Sequence, residues 1–206
     1  MRQLKFYNSA APAGLYRFRY KIYVEEMGRP QTYADHAAKT VKDPLDSFAR
    51  EAVAFNDDEI IGCVRGNYLR DGDAGEYEAF YALDALTPAE REKTSICTKV
   101  MVDKPYRGTS LAMKLLFLQY RMALDAGMDI CIVDCNPPID RQNARLGFKP
   151  LFEKDHPEYG RVHVMRLDMR DEAHLQAIRS PLAGILRLHR QGHSTEKPTR
   201  PAIAAE

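Results

Sequence analysis

The sequence predicts an α/β fold of α+β character, a mixed central sheet flanked by helices and followed by a C-terminal helical extension. Two observations carry this expectation. Glu51 to Phe55 and Ile60 to Leu69 are apolar, alternating runs around an Asn56-Asp57-Asp58-Glu59 turn, which is the pattern of an antiparallel hairpin. Ser95 to Val102, then Thr109 to Ala126, then Asp129 to Cys135 read as strand, helix and strand. Such a crossover makes its two strands parallel and its connection right-handed, so the turn after the first strand falls at the carboxyl edge, where ligands bind in open α/β sheets.

The other elements follow in order. Ala10 to Met27 has Leu15, Phe18, Ile22 and Tyr23 near one helical face, and Gly28 supplies a stop. A polar loop, Arg29 to Ser47, leads into the hairpin, which is expected to begin the sheet. Tyr77 to Leu86 reads as helix, and Thr87-Pro88 as the cap and first turn of another. In the crossover helix Leu111, Leu115, Leu118 and Met122 share a face, and Gly127 closes it. Arg161 to Met169 is the last expected strand, and Asp171 to Arg190 forms one or two helices broken at Ser180-Pro181. The polar tail from Gln191 is expected to be disordered.

The chain has 206 residues, 45% apolar and 29% charged, enough for one compact domain with a sizeable core. Expected boundaries are 1–170 for that domain, 171–190 for the extension packed on it and 191–206 for the tail. With 30 basic against 29 acidic side chains, net charge points to neither a nucleic-acid nor an anionic-membrane partner. The first twenty residues lack a signal-peptide core and no run approaches the ~20 apolar residues of a membrane span, so a cytoplasmic location is expected. Cys63, Cys97, Cys131 and Cys135 sit in apolar strand-like runs without metal-ligand spacing and read as buried free thiols. The six histidines form no metal or triad pattern, and no serine lies in a nucleophile elbow.

The chemistry-bearing stretch is Lys99 to Leu116. Arg107, Gly108, Thr109, Ser110, Leu111 and Ala112 can aim backbone amides, at the positive end of a helix dipole, toward a phosphate, and Gly108 permits close approach. The spacing Arg-x-x-Ser-x-Ala resembles the acyl-CoA turn of the GNAT superfamily of N-acyltransferases, with Ser110 where a glycine usually stands. Val102, Tyr106, Arg107, Gly108, Leu115 and Leu116 match that superfamily's strand, turn and Leu-Leu helix, and Ala144-Arg145-Leu146-Gly147-Phe148 resembles its closing helix and Leu-Gly-Phe turn.

The first third of the chain is similar to the branch holding acyl-homoserine-lactone (autoinducer) synthases and long-chain N-acyl amino acid synthases. Arg19, Tyr23, Val24 and Glu26 match its first-helix element, Asp43 and Asp46 its Asp-x-x-Asp loop, Gly62 and Arg65 its Gly-x-x-Arg strand, and His156 to Leu175 the C-terminal part of the N-acyl amino acid synthases. Two departures stand out. Autoinducer synthases carry Glu-x-Ser-Arg where this chain has Ile96-Cys97-Thr98-Lys99, so Lys99 keeps a charge but not a guanidinium fork, and the tyrosine that many GNAT enzymes use as general acid is Asn143.

The resemblance implies a GNAT-like fold and an N-acyltransferase with no permanently bound cofactor. Its donor is acyl-CoA or the phosphopantetheine of an acyl-carrier protein, and its acceptor a small amine such as an amino acid. Backbone groups near Val100 and Val102 would pair with the pantetheine arm. Asp46, then Asp43 and Glu78, are candidates for the base, with the alternative that the loop aspartates form a turn or cap. Arg65 and Lys99 join them as candidate catalytic groups. Arg65 and Arg19 would bind a substrate carboxylate or pair with those aspartates. Tyr23 is placed with the substrate. Phe80, Tyr81, Leu83 and Leu86 would line an acyl tunnel or serve as core. Water, Cys135 or another hydroxyl would protonate the leaving thiolate. Lys104, Arg107, Lys114 and Arg121 form a basic rim suited to an acidic carrier protein. Short-chain acetyl transfer and a catalytically silent acyl-CoA-binding scaffold are the competing readings. No oligomeric state is implied.

Overall fold

A computed structural model describes residues 2–8 and 10–194. A seven-stranded sheet runs in the order β1-β4-β5-β6-β7-β9-β8, formed by β1 (Arg2–Asn8), β4 (Arg50–Asn56), β5 (Glu59–Tyr68), β6 (Thr94–Val102), β7 (Ile130–Cys135), β9 (Gly160–Asp168) and β8 (Lys149–His156). The short pair β2 (Ala34–Asp35) and β3 (Thr40–Val41) stands apart. All neighbours in the large sheet are antiparallel except β6 and β7, whose parallel pairing is the predicted crossover. The 56–59 hairpin also forms as expected, Asp57 supplying its left-handed residue at φ +53°.

The hairpin does not begin the sheet: β1 pairs with β4 along its whole length, Arg2 opposite Asn56 to Asn8 opposite Arg50. Both β1 and β8 are edge strands with few buried side chains, so neither carries the continuous apolar run by which strands are read. Pro150 in β8 sits at a register shift, where a missing ladder donor is tolerated.

Helix α1 (Leu15–Tyr20) starts later than expected, after Gly14 at φ +87°, and continues as a π-helical turn over Lys21–Glu26 before Gly28 at φ +61°. Tyr77 to Leu86 is not one helix. It divides into α2 (Tyr77–Phe80) and a 3₁₀ turn over Leu83–Ala85, because Ala82 adopts φ +51°. Helices α3 (Pro88–Glu92), α4 (Leu111–Asp125) and α5 (Ile139–Leu146) follow, then α6 (Glu172–Ala177) and α7 (Leu182–Ser194), which flank Ser180-Pro181. Gln191 to Ser194 are thus helical, and the remainder of the expected tail lies outside the described residues.

The two sheet faces have separate cores. Helices α4, α6 and α7 bring Tyr120, Leu124, Leu175, Leu182 and Leu186 together with Tyr68 and Leu167 on one face. On the other, Leu45, Tyr77, Tyr81 and Leu83 pack on Ile96, Ile130, Ile132 and Val164, and α1 covers Val53, Cys63 and Met101. Among the described residues no helix is long and apolar enough to cross a membrane.

Candidate active site

The parallel pairing of β6 and β7 is short. It runs from Thr94–Ile130 to Ile96–Ile132 and stops, while β6 stays paired with β5 up to Val102. From Cys97 onward, β6 therefore presents one edge of backbone groups to a gap. A bulge opposite Val64 adds to this break, with Lys99 at φ +55°. A lysine in the left-handed region is held there against its preference, at a cost on the order of 1–3 kcal/mol. Val100, at the bulge, is 45% exposed, and Val102 is half-buried with its carbonyl accepting from Arg107 Nε at 2.9 Å.

Beyond β6 a 3₁₀ turn, Lys104–Tyr106, leads to the expected anion turn. Gly108 has φ +75° with nothing within 4 Å of where a β-carbon would stand, so it supplies both the conformation and the open approach. The turn is partly self-satisfied. Arg107 donates its amide to Lys104 O and pairs its guanidinium with Glu26, and Thr109 Oγ1 accepts from the Leu111 amide at 3.3 Å. Ser110 and Ala112 keep first-turn amides without intrahelical acceptors, whereas Leu111 points its side chain into the core.

Five of the expected charges meet on the α1 face of the sheet, joined by Glu51. Arg19 NH1 lies 2.7 Å from Asp46 Oδ1 and its NH2 pairs with Glu51. Arg65 NH1 lies 2.5 Å from Asp43 Oδ1 and 3.0 Å from Asp46 Oδ1, and its Nε donates to Thr98 Oγ1 at 3.0 Å. Lys99 Nζ lies 3.0 Å from Asp43 Oδ2. Three cations (Arg19, Arg65, Lys99) and three anions (Asp43, Asp46, Glu51) thus cancel in a region where an unpaired charge is very costly. Asp43 caps the 3₁₀ turn Pro44–Phe48, and Asp46 closes the capping box by accepting the Asp43 amide at 2.9 Å. The cap and ion-pair readings of this loop are therefore both realised.

Burial alone would raise the Asp43 carboxyl, but Arg65 and Lys99 outweigh it and hold the group well below the usual carboxylate range. So stabilised an anion is a weak base, and Asp46 already accepts from Arg19, Arg65 and the Asp43 amide. Burial, aided by Arg65, lowers the Lys99 ammonium despite Asp43. Burial raises Glu51, the pull of Arg19 notwithstanding. Glu78, the third expected base, lies away from this cluster and pairs with Arg91.

Lys99 and Asp43 reach a small pocket lined also by Gln31, Tyr33, Tyr77 and His156. Tyr23 is close by, with Lys99 Nζ 5.6 Å from its ring centroid and the Tyr159 ring 5.7 Å away. Phe80 meets His156 edge to face at 5.0 Å. It therefore packs behind His156, a wall of this pocket, while Tyr81 and Leu83 are closed into the core and line no tunnel.

Sequence reasoning missed Glu51, Asp134 and His156. Asp134 interrupts the apolar run of β7 just past the end of its pairing with β6, which was the available signal. Its Oδ1 accepts from Tyr81 OH at 2.5 Å, and burial, opposed by that hydrogen bond, raises its pKa. His156 Nδ1 accepts from the Glu158 amide at 3.0 Å, which leaves the proton of the neutral ring on Nε2. Burial lowers the His156 pKa, so the ring is neutral at pH 7 and acts as a donor.

On the opposite face the gap backs onto a narrow apolar cavity between α4 and the sheet, lined by Cys97, Leu116, Gln119, Cys131, Leu146 and Phe148 among others. All four cysteines are free thiols. Cys135 lies 3.8 Å from Met165 Sδ, and burial pushes its thiol up to about 11. That is weaker than an ordinary thiol at about 8.5, so Cys135 is a poor acid for a leaving thiolate.

Comparison with known proteins places this architecture. The "N-acyl amino acid synthase FeeM" family profile matches residues 14–168. FeeM, an N-acyl amino acid synthase from uncultured soil microbes, superposes with a TM-score of 0.65 at 18% identity, over 89% of this chain and 98% of that one. The CoA-dependent acyl-homoserine lactone synthase BjaI, in a structure with SAM and isopentyl-CoA, gives 0.67 at 14% identity, over 91% and 98%. An acyl-CoA N-acyltransferase from Pseudomonas aeruginosa gives 0.61 at 16% identity, over 81% and 99%. Curated protein sequences give no significant match. The profile spans three quarters of the chain and takes in the charged cluster, the splayed strands and the anion turn: this protein belongs to the FeeM N-acyl amino acid synthase family and is a GNAT-type N-acyltransferase.

Proposed function

We propose that the protein transfers a medium- or long-chain acyl group from the phosphopantetheine thioester of an acyl-carrier protein or of CoA to the α-amine of an amino acid. The observation that carries this reading is the β6–β7 gap, with an apolar cavity on one face and the Lys99–Asp43 pocket on the other. A thioester in the gap would direct its chain to the first and meet an amine from the second.

The pantetheine arm would run along the free edge of β6 near Val100, its phosphate at Gly108, Thr109, Ser110 and Ala112. Lys99, fixed by the bulge, would bind the acceptor's carboxylate, with Tyr23 close by and Phe80 behind His156. Asp43, Asp46, Glu51, Arg19 and Arg65 would position Lys99 within one neutral, buried unit. The raised pKa of Asp134 suits a base that takes the ammonium proton before attack. A β6 amide would stabilise the oxyanion, and solvent would protonate the thiolate. The exposed Lys104, Lys114 and Arg121 suit an acidic carrier protein; Arg107 is already paired with Glu26.

The test is a mass-spectrometric screen of acetyl, octanoyl and palmitoyl thioesters, on CoA and on carrier protein, against pooled amino acids, polyamines and S-adenosylmethionine. A long-chain N-acyl amino acid is the expected product. An acetylated amine, an acyl-homoserine lactone, or tight donor binding without turnover would each replace this reading.

A further inference from the structure

His156 closes strand β8 and forms one wall of the small pocket that Lys99 and Asp43 reach. Two rings hold it there. Phe80 meets it edge to face at 5.0 Å, and the Tyr159 ring lies 4.3 Å away at a tilt of 35°. The Glu158 amide donates to Nδ1 at 3.0 Å, which places the ring proton on Nε2. Among the described residues that Nε2–H has no acceptor, so a fixed and neutral donor stands at the pocket wall.

Lys99 is the second donor in the same pocket. Asp43 engages its ammonium at 3.0 Å, and an ammonium carries three N–H bonds, so donors remain for a ligand. It is a point charge, without the planar fork by which an arginine matches both oxygens of a carboxylate. A second donor beside it restores that match. The two groups are near enough to interact: burial lowers the His156 pKa most, and the Lys99 charge lowers it further.

The carboxylates of this pocket leave room for another. Asp43 is paired with Lys99 and Arg65. Glu158 is held by Gln31 Nε2 at 3.0 Å and by the Thr32 amide at 2.8 Å. Glu76 is exposed, where water and salt screen it.

We propose that His156 is a specificity residue for the acceptor, its Nε2–H binding one oxygen of the acceptor's α-carboxylate while Lys99 Nζ binds the other, so that free amino acids are taken in preference to their amides. The inference rests on the reading that this pocket takes the acceptor. A neutral donor held in place by two rings and a backbone amide orients the carboxylate without adding a buried charge.

The experiment measures kcat and KM for each proteinogenic amino acid beside its α-amide, with octanoyl and palmitoyl thioester donors. Wild type should favour the acid in kcat/KM about tenfold or more, as sites built around a substrate's hydrogen-bonding group do. His156→Phe keeps a ring between Phe80 and Tyr159 and loses the donor. In it KM for the acid should rise about tenfold while kcat stays within about threefold and KM for the amide within about twofold. His156→Gln, whose Nε2 amide keeps a donor, should recover part of that loss. No wild-type preference for the acid, a preference unchanged in His156→Phe, acid and amide KM values that rise together, or a His156→Gln enzyme no better than His156→Phe overturns this inference alone. Absence of N-acylated product from every acceptor overturns the acyl-transfer reading with it. If neither variant folds, nitrogen NMR of the histidine-labelled wild type decides: one Nε2 signal of the six imidazoles should shift on adding the amino acid and not its amide, and no such shift overturns the inference.

Discussion

Lys99 Nζ sits 3.0 Å from Asp43 Oδ2, an ion pair that ties the bulge of β6 to the cap of a 3₁₀ turn more than fifty residues earlier in the chain. The pair joins the splayed strand, where the thioester is proposed to lie, to the buried network that includes Arg65, Asp46, Arg19 and Glu51.

Removing one anion from this neutral set leaves an uncompensated buried cation. Asp43→Asn should cost about 3–5 kcal/mol at pH 7, read by urea unfolding. The folded pKa of Asp43 is depressed, so its contribution is present above the unfolded value of about 3.9 and lost as pH falls through the folded one. The variant should therefore lose stability less steeply than wild type below about pH 4. An unchanged acid slope would assign that slope to other carboxylates.

Asp134 should behave as a base. Its raised pKa means that kcat/KM climbs with pH until the carboxyl is ionised and then levels. Asp134→Asn should lower kcat by about 10²–10⁴ and abolish that limb, with KM for the donor changed little. Activity within threefold of wild type would send the proton by another route.

Gly108→Ala tests the anion turn. At φ +75° with open space around it, the substitution meets strain and no clash, and should destabilise the fold by only about 1–2 kcal/mol. Its β-carbon would intrude on a bound phosphate, so KM for both CoA and carrier-protein donors should rise several-fold while kcat holds. An unchanged KM would take the phosphate elsewhere.

The double variant Lys104→Ala with Lys114→Ala separates the donors. Both lysines are exposed, and their loss should leave turnover of acyl-CoA intact while slowing association with an acidic carrier protein several-fold, more so at low salt. Equal effects on both donors would show that this rim does not read the carrier.

Much of the fold was legible because it is written in local patterns. The 56–59 turn, the Leu111 and Leu115 stripe, Gly28, Gly127 and Ser180-Pro181 each act within a few residues. The crossover then follows from handedness. The edge strands β1 and β8 were not legible, since backbone pairing with a neighbour, and not side-chain burial, holds them in the sheet. Ala82 could not be foreseen as the end of α2, because nothing in an alanine announces a left-handed backbone.

At the site, the sequence alone determined the glycine turn that opens α4 and five of the six residues of the charged cluster, Glu51 excepted, from short spacings and resemblance. Only the tertiary structure decided that Asp43 and Asp46 are spent on Arg65 and Arg19, that Phe80 packs on His156 of the polar pocket, and that Gln119 packs directly against Gly66. Acidity, burial and unmet hydrogen bonds depend on groups brought together from distant parts of the chain, and these distances exist only once the sheet has formed.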